Sequence, residues 1–190
     1  MDANKNPTGK RVTTSDYASA SYYYVNKSSL PKVYGGFNTS LSWKGFDLSA
    51  IFAYSIGGYI YNRDITMILH NGSLEGRDWS TEILKRWTPE NRYTDVPALS
   101  TTSNNWNSAS TRFLQNNSYM RLKNLTLSYD LPKQWISKLA LSSVQVFVQG
   151  DNLFTIHRNQ GLDPEQGITG ITYYRYPAMR TISGGINLSF

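Results

Sequence analysis

Ile182, Ile186, Leu188 and Phe190 share one parity near the end of the chain, while Thr181, Ser183, Gly185, Asn187 and Ser189 share the other. This alternation predicts a strand with one apolar and one polar face over residues 180–190. Chain ends usually fray in polar residues, whereas here the apolar series reaches the last position, so a partner holding that end is expected. The closing strand of an outer-membrane barrel, paired on both edges with its apolar face on lipid, meets that requirement.

Residues 32–61 carry the clearest pattern. Phe37, Leu41 and Trp43 alternate with Asn38, Ser40 and Ser42. After Lys44 and Gly45, the residues Phe46, Leu48, Ala50 and Phe52 alternate with Asp47 and Ser49, and Ile51 and Ala53 are the less polar members of that second set. A two-residue connection ending in glycine suits a tight hairpin turn. With the turn placed there, Trp43 faces Phe46, Leu41 faces Leu48, Thr39 faces Ala50 and Phe37 faces Phe52, so the apolar faces coincide; a slip of one residue would destroy the match. The second strand is expected to run on to Tyr61. Trp43 and Phe46 then mark one end, and Tyr54, Tyr59 and Tyr61 the other, where interfacial aromatic girdles belong. Strands of about 10 residues tilted near 45° span an apolar band of roughly 25 Å.

Further strands are expected at residues 118–129 and at residues 142–154, where Val144, Val146 and Val148 share a parity. Between them, after Asp130, Leu131 and Pro132, a helical turn is expected at 133–139. Residues 1–31 are polar and without sustained periodicity, which predicts a loop or the remnant of a preceding element. Two long connections remain. Residues 62–117 hold two helix-like pieces, at 64–69 and at 80–87, the latter entered by a Ser80 cap and ended before Pro89. Residues 155–179 hold Gly161-Leu162-Asp163-Pro164-Glu165 and the aromatic group Tyr173, Tyr174 and Tyr176. Short and long connections thus alternate strictly, the pattern of short periplasmic turns and long extracellular loops in an outer-membrane barrel. The expected organisation is a leading segment, 1–31, followed by barrel strands over 32–190 with loops at 62–117 and 155–179.

Composition narrows the chemistry. The mean hydropathy is −0.45, and no apolar run approaches the roughly 18 residues of a membrane helix; barrel strands alternate and keep the average low. The first ten residues have no apolar segment following their charges and are not expected to act as a signal peptide. With no cysteine and only two histidines, His70 and His157, far apart in sequence, thiolate sites are excluded and no metal site or cofactor is expected. The net charge is +6, but Lys and Arg are scattered singly apart from Lys85 and Arg86. That favours solubility or attraction to an anionic surface over nucleic-acid binding. Asp163 and Glu165, with Asp151 nearby, could be drawn as a carboxylate pair for glycoside hydrolysis, but they are better explained as turn-forming acids around Pro164. Asp151 and Asn152 are expected to hydrogen-bond loop backbone. No nucleophile, base or metal constellation is present, so no catalytic residue and no enzyme is expected.

Several stretches resemble the C-terminal portion of the SusC/RagA-type TonB-dependent outer-membrane transporters: residues 30–49 (L-P-K-V-Y-G-G-F-N-T-S-L-S-W-K-G-F-D-L-S), 86–91 (R-W-T-P-E-N), 118–132 (S-Y-M-R-L-K-N-L-T-L-S-Y-D-L-P), 148–155 (V-Q-G-D-N-L-F-T), 161–165 and 176–190. They lie in family order and cover most of the chain from Leu30 onward. The resemblance implies an all-β fold, an antiparallel transmembrane β-barrel segment carrying roughly the last five strands of a barrel of about 22. It also implies import of oligosaccharides or peptides together with a SusD-like surface lipoprotein, residence in the outer membrane of a Gram-negative bacterium, and energy supplied by the TonB complex through an N-terminal part absent from these residues. Ile186, Leu188 and Phe190 resemble the signal read by the barrel-assembly machinery, since a terminal strand with one apolar face can add to an open sheet edge. Tyr173, Tyr174, Tyr176 and Trp106 are expected to contact ligand or the lid lipoprotein. Arg121 and Lys123 share parity with Leu125 and Leu127, so both are expected to face outward above the apolar band, against lipopolysaccharide phosphates. A secreted or surface β-sheet module for carbohydrate binding or adhesion shares the strand pattern. It would bury Phe37, Leu41, Leu48 and Phe52 against a second sheet, whereas a barrel would point them at lipid.

Overall fold

The computed structural model describes residues 14, 16–20, 22–72, 74, 76–100, 105–137, 141–161, 163–165, 167–172 and 174–190. Residues 1–13 of the leading segment 1–31, the end of the expected turn at 133–139, and Leu162 and Tyr173 therefore lie outside the described residues. The chain divides into two compact units, Lys27–Asp64 with Leu114–Phe190, and Met1–Asn26 with Ile65–Phe113.

The first of these is built on an antiparallel five-stranded sheet, β1 (Val33–Trp43), β2 (Phe46–Ile56), β5 (Tyr119–Asp130), β6 (Ser143–His157) and β7 (Thr181–Ser189), in the order β1-β2-β5-β6-β7. A separate two-stranded sheet pairs β3 (Tyr59–Tyr61) with β4 (Leu114–Asn116). The hairpin has the register that alternation dictates, with Trp43 opposite Phe46, Leu41 opposite Leu48, and Phe37 opposite Phe52. Lys44 and Gly45 both take positive φ, 49° and 86°, as the type I′ turn requires. The Phe37 and Phe52 rings stack with centroids 4.7 Å apart. The second strand ends earlier than expected. Gly57 at φ 99° breaks it, and a Cβ at Gly58 would lie 2.9 Å from the Ser29 carbonyl. Tyr59 and Tyr61 consequently belong to the small sheet and not to a girdle at the end of β2.

One face of the large sheet is apolar across all five strands. Leu41 pairs with Leu48, Leu48 with Leu127, Leu127 with Val148, and Val146 with Ile186. These residues are exposed, Leu41 at 67% and Ile186 at 63%. Phe37 and Leu48 are exposed as well, so this face is not buried against a second sheet. The other face carries Ser49, Thr126 and Gln149 in register, and beside them Asn124 opposite Asp151.

β5 contains a bulge. On the β2 side the register moves from Ile51–Asn124 to Phe52–Leu122, and Lys123 has no opposite residue. On the β6 side it moves from Asn124–Asp151 to Leu122–Phe154. An extra residue in one strand reverses the facing of everything beyond it. Leu122 joins Phe52 on the apolar face, and Arg121, opposite Ala53 and Thr155, goes to the polar face.

α1 (Arg63–Ile68) and α2 (Lys133–Ile136) are short. In the other unit, the expected helical piece after Ser80 forms as a 3-10 turn, Thr81–Lys85, with the Ser80 hydroxyl accepting from the Glu82 N–H. Leu69, Ile83, Val96 and Phe113 are buried there. The Trp87 N–H donates to the Val96 carbonyl at 2.8 Å, closing the loop around Pro89.

Candidate functional site

The bulge in β5 creates a densely connected polar cluster in the sheet-bearing unit. Arg121, 3% exposed, donates from Nε to Thr155 Oγ1 at 3.0 Å and from Nη1 to Glu165 Oε2 at 2.9 Å. Its Nη2 donates to Asp163 Oδ1. Asp163 Oδ1 also accepts from the Glu165 N–H at 2.9 Å, and Oδ2 from the Ala178 N–H at 2.6 Å. Lys123, which is not buried, reaches Glu165 Oε1 at 2.7 Å. A guanidinium this far from water requires paired anions, and both come from the connection between β6 and β7. Burial disfavours the Asp163 carboxylate, but the N–H groups of Ala178 and Glu165 and the Arg121 guanidinium outweigh it and hold its pKa below the usual carboxylate value.

This geometry corrects the expectation for Arg121. It does not face outward beside Leu125 and Leu127, and its fork is committed to carboxylates of the same chain, so it is not available to lipopolysaccharide. Lys123 sits in the bulge and is paired with Glu165. A signal was present in the sequence: Met120 and Leu122 are of even parity and Leu125 and Leu127 of odd, and such a switch within one strand marks a bulge. Asp163 and Glu165 do flank a turn at Pro164, but their partner is Arg121. A carboxyl held ionised between N–H donors and a guanidinium is unsuited to donate a proton to a glycosidic oxygen.

The same cluster fixes the connection 158–180. Its backbone is tied at Thr172, whose N–H donates to the Tyr61 carbonyl at 3.1 Å, and at Tyr174, whose N–H donates to Asp64 Oδ1 at 3.1 Å. It is tied again at Ala178 through Asp163 and at Met179, whose carbonyl accepts from Asn152 Nδ2 at 3.1 Å. Asn152 thus binds loop backbone as expected. Asp151 differs, accepting from the side chains of Asn124 at 2.8 Å and of Gln149 on the polar sheet face. With the main chain so held, Tyr174 and Tyr176 are exposed, Tyr176 at 97%.

Trp106 belongs to the other unit. The Arg112 guanidinium lies 3.5 Å from its ring centroid and donates to the Asp95 carbonyl at 3.1 Å, so one face of the indole is already covered. His70 is buried there, and its Nδ1 accepts from Trp79 Nε1 at 3.0 Å. Burial lowers the His70 pKa. Among the described residues, no group of three His, Cys, Asp or Glu side chains is placed to hold a metal ion. Ile186 and Leu188 lie on the apolar face opposite Val146 and Val144, and with Phe190 they are exposed.

No protein-family profile matches the chain. It is similar to the TonB-dependent receptor P3 of Formosa agariphila, 33% identical over 166 residues, which is 82% of this chain and 16% of that protein. The TonB-dependent receptor SusC of Bacteroides thetaiotaomicron is 27% identical over 168 residues, 88% of this chain and 16% of its own length. The chain thus spans about a sixth of the length of the curated relatives it matches. Among solved structures it is similar to the RagAB peptide importer in its open-open state, with a TM-score of 0.82, 34% identity, and coverage of 97% of this chain and 20% of that one. The closed-closed state gives a TM-score of 0.82 and 35% identity over 100% of this chain and 20% of that one. These relatives are receptors and importers, not enzymes.

Proposed function

From the membership of this chain in the SusC/RagA-like TonB-dependent receptors, we infer that it forms a C-terminal part of the barrel wall of an outer-membrane importer of oligosaccharides or peptides. The observation that carries the reading is the exposed apolar face that runs in register from β1 to β7. In water such a face would drive association; in a membrane it is the lipid boundary. Strands over 32–190 with loops at 62–117 and 155–179 supply wall and outer rim, and residues 1–31 lead in from the preceding strand. Peptides are favoured over oligosaccharides because the solved neighbours at 34% and 35% identity are peptide importers.

In this reading the whole receptor works with a SusD-like surface lipoprotein and draws energy from the TonB complex. Ile186, Leu188 and Phe190 are read by the barrel-assembly machinery, and Tyr174, Tyr176 and Trp106 meet ligand or lid. Uptake of labelled peptides by cells with and without the full-length receptor tests the reading. Uptake that depends on the receptor and collapses when the inner-membrane proton gradient is dissipated is expected. Uptake unchanged by removal of the receptor would contradict it.

A further inference from the structure

We propose, resting on the peptide-import reading above, that segment 174–180 is a binding ridge for acidic peptides, in which Arg175 and Arg180 pair with ligand carboxylates and Tyr174 and Tyr176 pack on the peptide beside them.

The sequence gives the connection 158–180 three cations, Arg158, Arg175 and Arg180, and two anions, Asp163 and Glu165. Read linearly, these charges nearly cancel. The folded arrangement separates them. Asp163 and Glu165 are both spent on Arg121 and Lys123 of β5. Arg158, Arg175 and Arg180 are exposed and, among the described residues, make no ion pair with a carboxylate. The connection therefore keeps its acids against the sheet and leaves its arginines free, and the resulting field draws anions. A planar guanidinium matches a carboxylate with two parallel hydrogen bonds.

The ridge is also preorganised. Its main chain is held at Tyr174, Ala178 and Met179 by Asp64, Asp163 and Asn152, while residues 174–180 are all exposed. A ligand would find the backbone already ordered, which lowers the entropy lost on binding. Tyr and Arg are the residue types that concentrate binding energy at interfaces. The Arg175 guanidinium lies beside Gly167 of the same connection, 3.8 Å from where a Cβ there would stand.

The test uses the full-length receptor in detergent, with a fluorescent Glu-rich peptide and its Gln counterpart as probes. The Glu peptide is expected to bind about 10-fold tighter at low ionic strength and to lose most of that margin in about 0.5 M salt. In the double variant Arg175→Gln, Arg180→Gln, the margin should fall to about twofold or less, with binding of the Gln peptide unchanged. Both arginines are exposed and make no ion pair among the described residues, so heat-resistant migration of the barrel on gels serves as the folding control. Equal binding of the two peptides, or a preference that survives the double variant, overturns the proposal. If the Gln peptide binds and Tyr176→Ala weakens it without any acid preference, the importer reading stands and the charge preference falls. If neither peptide binds but a neutral oligosaccharide does, the peptide reading falls as well.

Discussion

Arg121 and Glu165, 44 residues apart in sequence, meet at 2.9 Å between Nη1 and Oε2, and with Asp163 they pin the connection 158–180 to the polar face of the sheet. Removing one partner of a buried pair leaves a charge uncompensated. Arg121→Met is expected to cost about 3–5 kcal/mol, read as a lowered unfolding midpoint together with faster tryptic cleavage at Arg158 and Arg175. Lys123→Ala removes a partly exposed contact and should cost less than about 1 kcal/mol.

The same clamp sets an acid limit. Because the folded pKa of Asp163 lies below its unfolded value, its contribution is fully present above the ordinary carboxylate pKa and is lost as pH falls through the depressed one. Protease resistance of the connection should therefore hold at pH 5 and above, and fail only below about pH 4. Asp163→Asn should remove that transition.

His70 predicts a transition in a different window. It is buried with its pKa lowered by burial, so the unfolded chain takes up the proton first. Stability of the unit holding it should be complete above about pH 6.5 and decline below it. Hydrogen exchange of the Trp79 indole, which donates to His70 Nδ1 at 3.0 Å, should accelerate between neutral pH and pH 5. Exchange that is flat across this range would contradict the assignment.

The hairpin could be derived from sequence because its strands alternate without interruption and Lys44-Gly45 allows one turn. Every pair from Phe37–Phe52 to Trp43–Phe46 then follows from parity. Parity failed where the backbone departs from it. The bulge at Lys123 sends Arg121 to the opposite face from Leu125, and the left-handed Gly57 ends β2 before Tyr59. The Arg121–Asp163 pair joins residues 42 apart, a contact that no local pattern encodes. The stacking of Arg112 on Trp106 is likewise a matter of packing; the sequence offers the aromatic and does not say that its face is taken.

Gly36 tests the pairing of β1 with β2. A Cβ there would lie 2.8 Å from the Phe52 carbonyl oxygen, which is backbone and cannot swing aside. Gly36→Ala should force the strands apart at a cost of about 1–3 kcal/mol, whereas Ser40→Ala, on the same strand face, should change stability by less than about 0.5 kcal/mol. Thermal melts of the two variants in detergent provide the comparison.

The central claim is that the apolar face of the sheet meets lipid. These 190 residues contain no cysteine; with any cysteine elsewhere in the receptor replaced, single cysteines are introduced and labelled at Leu41 and Leu127 on one face and at Ser40 and Thr126 on the other. In the receptor reconstituted into vesicles with brominated acyl chains, the labels at Leu41 and Leu127 should be strongly quenched and those at Ser40 and Thr126 should not. Quenching that fails to distinguish the two faces, or that is absent at both leucines, would contradict the barrel-wall account.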